Sequence, residues 1–311
     1  MAKEFVPVRP EVRFFYWGEE HPLVNLGDYL GQFLVKALGY TCVPRTTDDA
    51  QVVNPGRCLI SVGSLLTRRT LEIIDCPLDV WGCGWKGAAK APADRKDNRF
   101  FAVRGPQTAE GLHLPSNVAL GDPALLLPML FSWSIAAHGR TVVVPHCDRV
   151  AEMQVSQRCL LTGCDELVSP WVVRSPWHQA FQRASLRAAA FLLRRRVRLG
   201  VRIYDLRSAV RRIAGADFVL TGSLHGSIIA QAFGVPWAMY DDGYINAPAK
   251  WADWAAYLNT DIKPVQTLRD GRRWWEQVGR HARVRNLGSL LRAFPYKILN
   301  EKIRNLARNL P

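Results

Sequence analysis

The sequence predicts an α/β protein made of two Rossmann-like, doubly wound parallel-sheet domains that face each other across a cleft. Three observations lead there. Short apolar runs alternate with helix-length stretches along most of the chain, which is the pattern of a sheet flanked by helices. Nearly every run ends in a turn rich in Gly, Pro or Asp. The chain is 311 residues long, roughly two domains' worth, and the alternation begins afresh near residue 140.

In the first half, "VRFFYW" (12–17) reads as a strand, followed by a loop "GEEHPLVNLGD" and a helix "YLGQFLVKALGY" with Leu30, Phe33, Leu34 and Leu38 at helical spacing. "RCLISVGS" (57–64), "PLDVWGCG" (77–84), "RFFAVRGP" (99–106) and "VALGDP" (118–123) read as further strands. The second series is "RTVVVPHCD" (140–148), "DELVSPWV" (165–172), "LGVRIYDL" (199–206), "ADFVLTGS" (216–223) and "VPWAMYDD" (235–242). These set the expected division: residues 1–134 as a first Rossmann-like domain, 135–267 as a second, and a basic helical tail over 268–311. Ligands bind at the carboxyl ends of such sheets, so the strand-exit loops are where chemistry is expected. The apolar stretch 118–137 is long enough for a membrane span, but Asp122, Pro123 and Pro128 argue for a buried strand or loop instead.

Hydrophobic residues at 48% and charged residues at 22% exclude a disordered chain. The net charge of +14, carried mostly by Arg, points to an anionic partner. Seven Cys, at 42, 58, 76, 83, 147, 159 and 164, form no paired metal spacing, so no metal is expected. With no apolar signal segment at the start, reduced thiols and a cytoplasmic setting are expected. Residues 174–212 hold eleven Arg against one acid, Asp205, interleaved with Phe181, Phe191, Leu192 and Leu193. That run is either a solvated face or a peripheral contact with an anionic membrane or lipid-linked phosphate. No nucleic-acid recognition signature accompanies it.

The run "ADFVLTGSLHGSIIAQAFGVP" (216–236) places His225 among small residues at a strand-to-helix corner, with the helix expected to start at Ser227. Backbone N–H groups at a helix start attract phosphate or carboxylate. His225 is therefore an anion-facing group or a satisfied core histidine, with Ser223, Gly226 and Ser227 lining the same mouth. Asp28 in "NLGD" is a candidate proton acceptor or the N-cap of the first helix, and Asn25 a weaker candidate beside it. Asp122 is expected to fix a turn and Cys83 to be a buried small residue. His146 is open between function and packing, and Gly82 and Gly84 make only a weak phosphate-loop signal.

An ordered set of motifs sharpens this. "NLGDYL" (25–30), "SVGSLL" (61–66), "VWGCGW" (80–85), "AVRGPQT" (102–108), "ALGDPALLLP" (119–128), "VVVPHCD" (142–148) and "SLHGSIIAQAFGVP" (223–236) together resemble the polysaccharide pyruvyl transferase family, exopolysaccharide-type branch. The resemblance implies a two-domain enzyme of GT-B-like architecture. It implies transfer of an enolpyruvyl group from phosphoenolpyruvate to a lipid- or nucleotide-linked saccharide, giving a pyruvate ketal and phosphate, with no cofactor. Arg104 in "VRGP" matches the family's donor-holding arginine, His225 its motif histidine, and Lys250 in "APAKWADW" a downstream basic residue. His225 would act as general acid or phosphate ligand, and Asp28 with Asn25 would serve the acceptor. Where relatives often carry Arg before Leu-His-Gly, this chain has Ser223. Two other readings stand beside this one: a GT-B glycosyltransferase using a nucleotide sugar, and a non-catalytic basic protein binding carbohydrate or membrane.

Overall fold

The computed structural model describes residues 9–47, 52–87, 97–150, 163–174, 203–241 and 243–310. Most of the Arg-rich stretch, and with it the expected membrane contact, lies outside the described residues.

The first half contains β1 (Glu11–Phe15), β2 (Leu23–Asn25), α1 (Leu26–Ala37), β3 (Thr41–Val43), β4 (Cys58–Ser61), α2 (Arg68–Ile73), β5 (Leu78–Cys83), β6 (Arg99–Val103), α3 (Pro106–Gly111) and β7 (Ala119–Leu120). Six of these strands form one sheet in the order β3-β1-β4-β5-β6-β7, and every pairing is parallel. The all-buried runs of β4 and β5 explain their unbroken apolar sequence, since a parallel sheet is covered on both faces. Past β7 the chain makes a buried 3-10 turn, Pro123–Leu126, and a short helix α4 (Leu127–Leu130). No helix among the described residues is long and apolar enough to cross a membrane.

The second half supplies β8 (Thr141–Val144), β9 (Glu166–Leu167), β10 (Trp171–Val173), β11 (Tyr204–Asp205), α5 (Leu206–Ala214), β12 (Phe218–Thr221), α6 (Leu224–Ala232), β13 (Trp237–Met239) and α7 (Pro248–Leu258). A second parallel sheet runs β13-β12-β8-β9. The fold is thus α/β with two parallel sheets, as the alternation of runs predicts.

Three strands escape the sequence pattern: β2, β3 and β10. The run 165–172 splits at Ser169-Pro170, because proline has no N–H for a ladder; β9 stays in the parallel sheet and β10 leaves it. β10 then pairs with β11 on one side and, antiparallel, with β2 on the other. The expected loop after β1 therefore contains a strand that joins a three-stranded sheet with second-half residues.

The tail divides its packing. Helix α8 (Leu268–Gln277) lies on the second sheet, with the Trp274 and Trp237 rings 5.4 Å apart. Helices α9 (Leu287–Arg292) and α10 (Glu301–Asn309) return to the first half. There the Trp81 indole donates to Leu290 O at 2.9 Å, the Tyr40 hydroxyl to Lys297 O at 2.7 Å, and the Tyr296 hydroxyl to Asp79 at 3.1 Å.

Candidate active site between the sheets

His225 is carried by α6, just past the carboxyl end of β12. Helix α6 begins at Leu224, three residues earlier than the sequence indicates, so the imidazole sits inside the first turn with Ser223 at the N-cap. The turn is tight because Gly222 and Ser223 both donate to Val144 O, the end of the neighbouring strand. Gly226 and Ser227, expected at a ligand, face the other way. A Cβ on Gly226 would lie 2.3 Å from Thr221 Oγ1, so this glycine lets the helix rest on β12. Ser227 is fully buried and its hydroxyl donates to Leu224 O at 2.7 Å. Ser223 is 7% exposed, with its backbone N–H committed to Val144 and Thr221.

The ring itself reaches the first half of the chain. His225 Nε2 lies 3.3 Å from Asp122 Oδ2, close enough for an ion pair but not aligned as a hydrogen bond. Neither atom has a hydrogen-bond partner among the described residues, so this is not a satisfied core histidine. On its other side the imidazole covers Gly27, where a Cβ would come within 1.9 Å of Nδ1.

Asn25, not Asp28, caps α1: its side chain accepts from Gly27 N at 2.9 Å. Asp28 is therefore released from the capping alternative and stands one turn inside, against the exit loop of β4. That loop is strained to fit, with Val62 at φ 64° and Gly63 at φ 79°. A Cβ on Gly63 would lie 2.9 Å from Asp28 Oδ1. Burial raises Asp28 to about 6, while the positive charges of Lys86 and Lys250 and the nearby His225 pull the other way. Asn25 also hydrogen-bonds the Cys147 thiol, which burial pushes up to about 11.

Lys250, in the first turn of α7, is 7% exposed and donates to Asn246 Oδ1 at 3.1 Å. Burial, with the like charges of Arg104 and Lys86, lowers it to about 8. Arg104 does not offer the free fork expected for a donor grip. It is completely buried, with Nε on Asp253 at 3.1 Å, one terminal nitrogen on the Ser64 hydroxyl at 2.9 Å and the other near Trp85 O. Asp253 is held in turn by the N–H and hydroxyl of Thr108. Gly84 serves this buried pair: a Cβ there would fall 2.1 Å from the guanidinium carbon. Gly82 similarly clears Pro123, so neither glycine makes a phosphate loop.

The carboxyl ends of both sheets thus bring together a carboxylate of near-neutral affinity, an imidazole and two lysines. A family model for polysaccharide pyruvyl transferase matches residues 25–243, a span that holds Asn25, Asp28, Lys86, Arg104, Asp122 and His225 but not Lys250. The chain belongs to the polysaccharide pyruvyl transferase family.

Among relatives of this pyruvyl transferase family member, the succinoglycan biosynthesis protein ExoV of Rhizobium meliloti (strain 1021) is 23% identical over 271 residues, covering 84% of this chain and 72% of the relative. Similar solved structures include a functionally uncharacterised protein of Klebsiella pneumoniae, 14% identical, TM-score 0.45, covering 82% of this chain and 93% of that one. A second is MnaA of S. aureus with UDP, 12% identical, TM-score 0.44, covering 88% and 90%.

The sequence reading missed several residues of this site. Lys86 is exposed and lies near enough to Asp28 and Lys250 to act on both charges. The signal was available, since Lys86 directly follows the "WGCGW" strand exit. Asp253, three residues after Lys250, has no comparable signal, because its partner Arg104 is far away in sequence. Asp122 does fix a turn, its Oδ1 accepting from Ala124 N at 2.9 Å, but its other oxygen faces His225. Cys83 is buried as expected, and burial raises its thiol well above the usual range. Among the described residues, His146, Cys147 and Asp148 carry ligand-type atoms within 4.8 Å of one another and could hold a metal ion. His146 Nδ1 already accepts from Asp148 N, and the Lys250 charge acts on Cys147, which disfavours a cation there.

Proposed function

We propose that the protein transfers the enolpyruvyl group of phosphoenolpyruvate to two hydroxyls of a saccharide in a polysaccharide repeat unit, forming a cyclic pyruvate ketal and releasing phosphate. The observation that carries this reading is the grouping of His225, Lys250 and Lys86 around Asp28, within a chain of this family. Phosphoenolpyruvate is strongly anionic. Lys250 supplies a compact charge for its phosphate, and exposed Lys86 a second at the rim. Arg104 acts from beneath, through Asp253 and its field on Lys250.

Chemically, a proton is added to the methylene carbon, an acceptor hydroxyl attacks C2, phosphate leaves, and the second hydroxyl closes the ring as its proton passes to the departing phosphate. Above pH about 6 ionised Asp28 accepts the proton from the attacking hydroxyl. His225, between Asp28 and Asp122, protonates the methylene or binds the phosphate. The likeness to a succinoglycan biosynthesis protein favours an exopolysaccharide unit as acceptor, carried on lipid or nucleotide. A lipid carrier would place the enzyme peripherally on the cytoplasmic membrane face.

The test incubates the protein with labelled phosphoenolpyruvate and lipid-linked oligosaccharides, following acceptor-dependent phosphate release and acid-labile ketal. Histidine 225 replaced by alanine (H225A) should lose turnover by about 100-fold or more. Binding of a nucleotide sugar, with none of phosphoenolpyruvate at millimolar concentration, would assign the cleft to a glycosyltransferase instead.

A further inference from the structure

We infer that Asp122 is the positioning residue of His225: it holds the Nε2 proton and thereby leaves Nδ1 as the ring nitrogen that takes up a proton and delivers it at the mouth of α1. The kinetic part of this inference rests on the proposed transfer reaction; the structural part does not.

Asp122 and His225 come from opposite halves of the chain. Asp122 is fully buried, and its two oxygens have different duties. Oδ1 accepts from Ala124 N at 2.9 Å and so fixes the side chain's rotation. Oδ2 is left with no hydrogen-bond partner among the described residues, facing Nε2 at 3.3 Å. A carboxylate oxygen can only accept, so the nitrogen opposite it must be the one that carries hydrogen. Such contacts are often loose before substrate is bound and tighten in the reacting complex. The opposite edge of the ring is shaped for closeness too. Gly27 has no side chain to hold Nδ1 away from α1, and Asp28 is the next residue.

This arrangement makes Asp122→Asn informative. The amide oxygen must stay on Ala124 N, because an amide nitrogen there would oppose another donor. The amide NH2 would then face Nε2, and the ring would have to accept at Nε2 and keep its proton on Nδ1. Overall shape is preserved while the tautomer is reversed.

The experiment records two-bond proton–nitrogen spectra of 15N-histidine-labelled protein, with H225A used to assign the ring. The wild type is expected to show Nε2–H, D122N to show Nδ1–H, and Asp28→Asn to retain the wild-type pattern. In turnover assays D122N should lower kcat about 100-fold or more with little change in KM for phosphoenolpyruvate, as removal of an imidazole's orienting carboxylate does elsewhere. D122N/H225A should be no slower than H225A alone, since one residue acts through the other. Nδ1–H in the wild type, or an unchanged tautomer in D122N, overturns the inference, as do multiplying losses in the double variant. If D122N does not fold, the wild-type tautomer alone decides. If the wild type transfers nothing from phosphoenolpyruvate, the proposed reaction fails while the spectra still test the pairing.

Discussion

Asp28 and Lys250 are both displaced toward neutrality, one upward to about 6 and the other downward to about 8, and mainly by burial. If Asp28 must be ionised to accept a proton and Lys250 charged to hold phosphate, turnover rises with pH through about 6 and falls through about 8. Lys250→Arg should carry the alkaline limb upward, because a guanidinium stays charged. The same displacement acts on stability. An aspartate raised above its unfolded value binds its proton more tightly in the folded state. Its favourable contribution is therefore complete at low pH and lost as pH rises through about 6. Asp28→Asn should stabilise the fold at pH 7.5, by on the order of 1–2 kcal/mol after screening. It should have no such effect near pH 3.5, while abolishing turnover; thermal melts at the two pH values decide. His225 was legible in the sequence because its glycine- and serine-rich corner and the ordered motifs marked it. The second duty of Asp122 was not, because its turn-forming role explains the residue locally and its partner lies beyond the reach of local pattern.

At the level of elements, the loop after β6 is tied to α7 by the buried Arg104–Asp253 pair. Removing one partner of such a pair leaves an uncompensated charge in the interior. Asp253→Ala should therefore cost about 3–5 kcal/mol in urea unfolding. Gly84→Ala should also destabilise, since its methyl would displace the guanidinium, and loss of phosphoenolpyruvate affinity in either variant would follow from disturbance of Lys250 on α7. Wild-type stability for Asp253→Ala would remove this pair from the architecture of the site. Parallel strands were the most legible elements, because β4, β5, β8 and β12 are buried on both faces and read as continuous apolar runs. β2 and β3 were not, being three residues each, mostly with partly buried side chains, and too short for a period to register.

For the whole molecule, the last helices complete the first half. Residues 287–310 cover Trp81 and Tyr40, with the Phe294 ring 5.0 Å from Trp81 and 5.8 Å from Tyr40. A chain ending at residue 286 should expose this aromatic cluster, with red-shifted tryptophan emission and a broadened melt; an unaltered melt would show the tail to be dispensable. Sequence alone indicated a helical tail but not its destination, which depends on surfaces made by residues far earlier in the chain. The small mixed sheet has a mechanical meaning as well. Residues 23–25 are laced into β10 and run without a break into the turn that carries Asp28. On its other face α1 is fastened to the first sheet, where a Cβ on Gly31 would lie 2.4 Å from Ser61 O, so a hinge between the halves would pull on this one segment from both sides. The carboxylate of Asp28 thus sits on the strap that holds the two halves together.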